Sequence, residues 1–520
     1  MFFISIKSKW AKSVFFLTLA CVSISSLAQV VQTGRLEVPI GHDFETYSVV
    51  PLDSSGLALY RSFEGPKENQ LELTRLDTAL QQVWKGFLPV PKGFSVASAK
   101  ATNNAIYLFL KSTVPNFQGF LAFVVKTKDG SFFSYPIKNL IQFNATEFVV
   151  GEEALLIGGY FNFRPIVLFY SLKEQRSRIL PGFLNEPGEL TQIKTYPNGN
   201  VDVIVSAKNA SRKKCLWIRH FDNAGDLIQT VVLEPDENKN LIFGRAAKMK
   251  NDNQVIAGVY GKNSQYSRGI FVAEVNVYGE YVIHYYNFAD LNNFFHYMKA
   301  KREKRIKERI ERRKVKGKKI RFNYRFLVHD LVPYGDQFIM LGEAFYPSYS
   351  NRSSNFYRTP AFGNYYSPTS YGLYNRYYNS PYRTDYVFDG FQYTHAVAIG
   401  FDKQANLIWN NSFEINGIKS FQLEQFVKIF PGQDHIVLLY LYENLIRSKI
   451  IKGEQLVEGT TQEAIKIVGG KEAMKHSVLS SKLEHWYGNH FIAHGIQTIR
   501  TQDIFFDLRK VFFINKISVR

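Results

Sequence analysis

With 520 residues and 45% hydrophobic composition, the chain is long enough to bury a substantial core. Its two cysteines, Cys21 and Cys215, exclude a disulfide-stapled fold once the leader described below is removed, and no segment reaches the roughly 20 apolar residues of a spanning helix. The formal charge of +19 is local: residues 1–28 hold Lys7, Lys9 and Lys12 with no acid, and residues 299–325 hold 15 Lys+Arg against Glu303, Glu308 and Glu311, which leaves about +4 for everything else.

The first 28 residues place those three lysines before an apolar run from Val14 to Ile24, followed by Ser26-Leu27-Ala28. A positive flank, a short apolar core and small residues before a cut are what an export peptidase reads, so the sequence predicts a signal peptide cleaved after Ala28 and a periplasmic or cell-surface location. Lipidation at Cys21 is a minor alternative, because Thr18 stands where an aliphatic residue is expected. Cys215, in KKCLWIRHF, is then alone, and a small apolar residue packed in a strand is its natural role.

From residue 45 onward a unit of roughly 45 to 50 residues recurs, a period typical of propellers and arrays. Its clearest part is a hairpin in which an apolar strand, a tight turn and a second apolar strand follow one another: LTRLDTALQQVWKGFL (73–88), AFVVKTKDGSFFSYPI (122–137), WIRHFDNAGDLIQTVVL (217–233), VAEVNVYGEYVIHYYNF (272–288) and AVAIGFDKQANLIWNNSF (396–413). Two further strands precede each hairpin, as in YSVVPLDSSGLALYRSF (47–63). Four antiparallel strands per unit, repeated, make the blade of a β-propeller. Units beginning near 45, 94, 145, 189, 240, 326, 419 and 476 predict eight blades, with seven as the alternative. The last unit shows only three strands, and GRLEVPI (34–40) is predicted to supply its fourth, closing the ring and leaving no open sheet edge. Helical patterning is absent outside the basic segment, which argues against an α/β enzyme.

Two of these hairpins, LDTALQQVW and FDKQANLIW, resemble the turn-then-Trp hairpin of quinoprotein-type blades, the kind also used by non-catalytic outer-membrane assembly scaffolds. The glycine usual in that turn is missing from both. The resemblance implies architecture and carries over no functional residue.

Two units are oversized. In the first, residues 290–325 read as a basic helical insert: a helix over 290–315 capped by Asp290 or Asn292 and ended by Gly317, with an apolar stripe of Phe294, Met298, Ile306 and Ile310 interrupted by Arg302. Glu303 with Lys307 and Glu308 with Arg312 are helix-spaced ion pairs. In the second, residues 345–393 carry 12 tyrosines, with Pro, Gly, Ser and Asn that oppose regular structure. A blade zigzags, so the loop between blades and the loop between the second and third strands leave from one rim. The two inserts therefore belong on one face.

That face is the predicted binding surface, through Lys301, Arg302, Arg305, Arg309, Arg312 and Arg313 on the helix and Tyr357, Tyr366, Tyr374, Arg376 and Tyr378 on the loop. A narrow stripe flanked by charge suits docking on an acidic protein partner, Tyr and Arg dominate contact hot spots, anionic lipid or polysaccharide is the lesser reading, and nucleic acid is disfavoured for an exported chain. The alternative is an envelope enzyme acting on glycan or peptide, with Glu343, Asp389, His329 and His395 converging near the second insert. Strand alternation already separates His329 from Asp330. No spacing matches a metal motif, and no cofactor is expected.

Overall fold

The computed structural model describes residues 30–519 apart from 42–44, 66–67, 115–118, 184–186, 250–252, 263–265, 319, 352–385, 468–471, 478–480 and 502–507. Its strands gather into eight separate antiparallel sheets that follow one another along the chain. Blade 1 is typical: Ser48–Pro51, Leu57–Phe63, Asn69–Leu76 and Gln82–Val90 pair in sequence order. Blades 2 to 5 repeat this from Phe94, Asn144, Gly188 and Asn240. The chain is an eight-bladed β-propeller.

The second and third strands of each blade explain why the sheets stand side by side. Ala105–Ser112 (AIYLFLKS) and Ile436–Tyr442 (IVLLYLY) are buried at almost every position, so each needs an apolar neighbour on both faces. That neighbour is the next blade: Leu155, Ile157, Ile166 and Leu168 of blade 3 pack on Phe109, Phe120 and Ala122 of blade 2, and similar clusters fill the other seams.

The outer hairpins share one turn chemistry. Asp77, Asp222, Asn276 and Asp402 each accept two main-chain N–H groups, two and four residues on, through a single side-chain oxygen. This closes the turn locally and requires a left-handed residue three positions after the acceptor. Gly225 and Gly279 fill that position at φ 78° and 86°. In the two Trp hairpins, Leu80 and Ala405 occupy it at φ 63° and 64°, so the missing glycines leave the turn geometry intact at a cost of about 1–2 kcal/mol each.

Ring closure follows the sequence reading. Val30–Pro39 pairs antiparallel with Leu508–Val519, from Val30 opposite Val519 to Pro39 opposite Val511. The first strand of the chain is thus the outermost strand of blade 8, whose inner side is split into Glu472–Ser477 and Lys482–Tyr487. One expected boundary moves. Lys419–Ser420 pairs with Phe391 and Gln392 and so belongs to blade 6; blade 7 opens at Lys428. Cys215 is fully buried opposite Ala207 in a strand of blade 4, and burial pushes its thiol up to about 11.

Phe513 sits fully buried in the seam between blades 7 and 8, with the Arg35 guanidinium from the closing strand 5.1 Å from its ring centre. Phe513→Ala is expected to cost about 3–5 kcal/mol in denaturant unfolding. A substitution at exposed Val457 serves as control, expected to stay within about 0.5 kcal/mol.

Candidate functional site

The first insert leaves blade 5 after Asn287, whose side chain accepts from the Ala289 N–H and caps a single 3-10 turn, Phe288–Asp290. The α-helix itself, α1, runs Ala300–Val315, ten residues later than the sequence suggested. The cause lies in tertiary bonds. Asn293 is buried and gives its main-chain N–H to Asn410 Oδ1 at 2.9 Å and its amide to the carbonyls of Asn410 and Glu454, while its own carbonyl accepts from Ser412 at 2.8 Å. Phe294 and Phe295 are buried beside it. Asp290 therefore does not cap the helix, and its carboxylate instead meets Lys314 near the helix C-terminus, 3.2 Å away. Gly317 ends the helix as expected, at φ 61° with its N–H on the Lys314 carbonyl. Sixteen residues make a rod of about 24 Å.

α1 lies on the body through Ile310, buried, and Ile306, half-buried, with Met298 from the turn before it. Glu303 pairs with Lys307 at 2.6 Å and with His296 at 3.1 Å. Arg312 gives its Nε–H to the Glu308 main-chain carbonyl rather than forming the expected side-chain pair. Lys301, Arg302, Arg305, Arg309 and Arg312 are exposed and Arg313 is half-buried. Along one flank, Ala300, Lys304, Glu308 and Arg312 line an open, solvent-facing surface formed by this helix alone.

The second insert begins as structure. Gln337–Asn351 and Tyr386–Asp402 stay paired well past the blade, to Asn351 opposite Tyr386, with bulges near Ala344 and Pro347. The sequence placed irregular chain from residue 345; the ribbon extends six residues beyond it. Tyr357, Tyr366, Tyr374, Arg376 and Tyr378 lie outside the described residues. At the root of the ribbon, the fully buried His395 stacks flat on Tyr297 of the first insert, ring centres 3.6 Å apart and planes 3° from parallel. Phe294, Tyr324 and Phe326 surround it edge-on. The two inserts rise from one shared aromatic root.

That root separates the four residues of the enzymatic alternative. Glu343 lies opposite Ala396 and Ala344 opposite His395, so Glu343 and His395 point to opposite faces of blade 6. Glu343, fully buried, accepts from His329 Nε2 at 2.8 Å and from the main-chain N–H groups of Phe426 and Val427, which fastens the connection into blade 7. Asp389 pairs with Lys419 at the ribbon. His395 has Thr394 on Nδ1 and no partner for Nε2 among the described residues, and burial pushes it down to about 3. These are four structural anchors in three places, and the expected convergence is replaced by a division. Asp330 turns away from His329, as alternation required, to meet Gln192 and Arg245.

Asp330 leads to a site that the sequence reading missed. The inner strands of blades 2, 3, 4 and 5 each skip one residue in their pairing, at Ala97, Thr146, Thr191 and Ile242. Such bulges re-aim the side chains that follow them. Three residues beyond each bulge stand Lys100, Val149, Lys194 and Arg245. Blades 2 to 6 thereby enclose a polar cavity of about 360 Å³. Among the described residues, no group of three or more His, Cys, Asp and Glu side chains is placed to hold a metal ion.

No family model and no curated protein matches the chain. Among solved structures, it is similar to the dihydro-heme d1 dehydrogenase NirN (10% identity, 94% of this chain and 79% of that one, TM-score 0.42). It is also similar to the polysaccharide lyase Uly1 (9%, 94% and 100%, TM-score 0.41) and to the β-propeller domain of the trilobed protease from Pyrococcus furiosus (10%, 82% and 96%, TM-score 0.36). At this distance no residue or activity is carried across.

Two substitutions separate anchoring from chemistry. Glu343→Ala strands two main-chain donors and His329, and is expected to cost about 3–5 kcal/mol of stability. His395→Phe keeps the stack on Tyr297 and removes an unpartnered nitrogen. His395 is pushed from 6.5 down to about 3 in the fold, so its neutral form is the stabilised one. Its contribution is complete above about pH 6.5 and is lost as pH falls toward about 3. Thermal unfolding of His395→Phe is expected to match the parent within about 1 kcal/mol at pH 8 and to decline less steeply on acidification.

Proposed function

We propose that the chain is an exported binding scaffold whose insert rim docks an acidic protein partner through α1 and the Tyr-rich loop. The observation that carries this reading is the orientation of α1: its apolar residues Ile306 and Ile310 face the body while Lys301, Arg302, Arg305, Arg309 and Arg312 face solvent. A helix that lies in a membrane interface needs its apolar side outward, and here only Val315, 86% exposed, is free to serve that way. Charge without an apolar face favours a hydrophilic polyanionic surface.

Size brings in the loop. A 24 Å helix about 10 Å wide offers roughly 240 Å², well below the approximately 800 Å² per partner of a stable protein interface. The Tyr-rich segment follows in sequence from the ribbon that rises from the same aromatic root, and tyrosine supplies contact area at low entropic cost, which supports including it in the proposed face. The signal peptide expected from residues 1–28 supports an envelope location in this reading, where nucleic acid is not the available polyanion. Of the four residues of the enzymatic alternative, only His329 and Glu343 meet, in a buried pair that also holds the Phe426 and Val427 main chain, while Asp389 and His395 lie elsewhere.

A photo-activatable residue in place of Arg309, activated in the producing cells, tests the reading. One protein adduct of defined mass is expected, at least tenfold reduced by Arg305→Glu with Arg312→Glu. Adducts to lipid or polysaccharide alone, or an adduct indifferent to the charge reversal, would overturn it.

A further inference from the structure

The central cavity lies apart from the insert face and holds groups that the fold leaves unused. Glu147, on the inner strand of blade 3, has no hydrogen-bond partner for its carboxyl among the described residues, and Lys100 of blade 2 likewise has none for its ammonium. The two are close enough to influence each other electrostatically, yet they do not pair. Thr146, 8% exposed in the same wall, has a hydroxyl without a partner among the described residues. The Thr146 hydroxyl is buried without a partner, and the Glu147 and Lys100 head groups are left open to whatever enters the cavity.

The remaining wall tells what kind of molecule would relieve them. Arg245 of blade 5, held 3.6 Å from Asp330, adds a second positive charge to that of Lys100. Lys111 adds a third, tied by its ammonium to the Ala145 carbonyl at 2.8 Å. Burial disfavours the charge on Lys111, and Asp330 offsets part of that on Arg245, so the positive groups of the wall outnumber the negative ones by a small margin; guanidinium and ammonium donors match a carboxylate. Glu147 needs the opposite, a donor. Burial pushes its carboxyl up to about 7, with Asp330 adding to the rise and Arg245 and Lys100 opposing it. A carboxyl held there accepts when ionised and donates when protonated, and a hydroxyl or amino group brought next to it complements the one or the other.

We infer that the central cavity binds a small carboxylic acid that carries a hydroxyl or amino group beside its carboxylate. Lys100 and Arg245 take the carboxylate and Glu147 takes the donor. A volume of about 360 Å³ accommodates a molecule of one sugar acid or amino acid, and excludes a folded chain. The repeated bulges fit this assignment, because they bring side chains of successive blades into one cavity and would be needless in a packed inner wall.

The test is a calorimetric titration of the full mature chain with lactate, alanine and galacturonate, each compared with propionate, which keeps the carboxylate and lacks the donor, and with neutral galactose. At least one donor-bearing acid is expected to saturate below about 10 mM and to bind at least tenfold more tightly than propionate, with galactose silent. Lys100→Ala, at an exposed side chain, is expected to weaken every acid about tenfold, whereas Glu147→Gln is expected to erase the preference over propionate while leaving carboxylate binding in place. The two variants move different quantities, so a general loss of folding would not imitate the pattern. The inference is overturned if no acid saturates below about 10 mM, if galactose binds as well as galacturonate, or if both variants leave affinity and preference unchanged.

Discussion

The insert face depends on one buried aromatic contact, the flat stack of Tyr297 on His395 within the ring of Phe294, Tyr324 and Phe326. A 16-residue helix with this density of like charge is marginal alone, and the same basic stretch on a free tether would be a disordered tail. Anchoring Phe294 and Phe295 fixes the start of α1 against blade 6, and Ile310 rests its far half on the body. The charges then have a defined direction. Because His395 belongs to the strand leaving the second insert, the contact that orients the helix also sets the ribbon beside it.

The propeller makes that arrangement possible. Inter-blade seams filled by Leu, Ile, Val and Phe hold eight sheets in a ring, closed by Val30–Pro39 against Leu508–Val519. Blade 6 diverges most, lengthening two strands and splitting a third, and it is the blade that carries the anchors Glu343, His329 and His395. Blades 2 to 5 each carry a bulge on the inner strand, where the cavity forms. Insertions thus build the rim, and bulges shape the interior.

How much of this was legible in the sequence depended on whether local chemistry or remote contacts decided the outcome. The hairpins of blades 1, 4, 5 and 6 could be read because the Asx-capped turn and the alternation of strands are local, and that of blade 2 from its Asp-Gly turn and alternation. Closure by GRLEVPI was legible for the same reason, since an unmatched strand at one end fits a blade short of one at the other. The start of α1 was not, because its fate rests on Asn293 bonding to Asn410, Glu454 and Ser412, more than a hundred residues away. Nor was the opposition of Glu343 and His395, whose faces depend on a register set across residues 344–394 by bulges that leave no sequence mark. Unevenly spaced Lys100, Lys194 and Arg245 look unrelated until the bulge in each strand brings them into register.

Hydrogen exchange of the α1 amides, compared between the parent chain and Phe294→Ala, measures whether the aromatic root holds the helix. Residues 300–315 are expected to exchange slowly in the parent and to lose protection in the variant, while blades 1 to 4 keep theirs. A helix that stays protected after Phe294→Ala, or that exchanges freely in the parent, would contradict the idea that this contact presents the basic face.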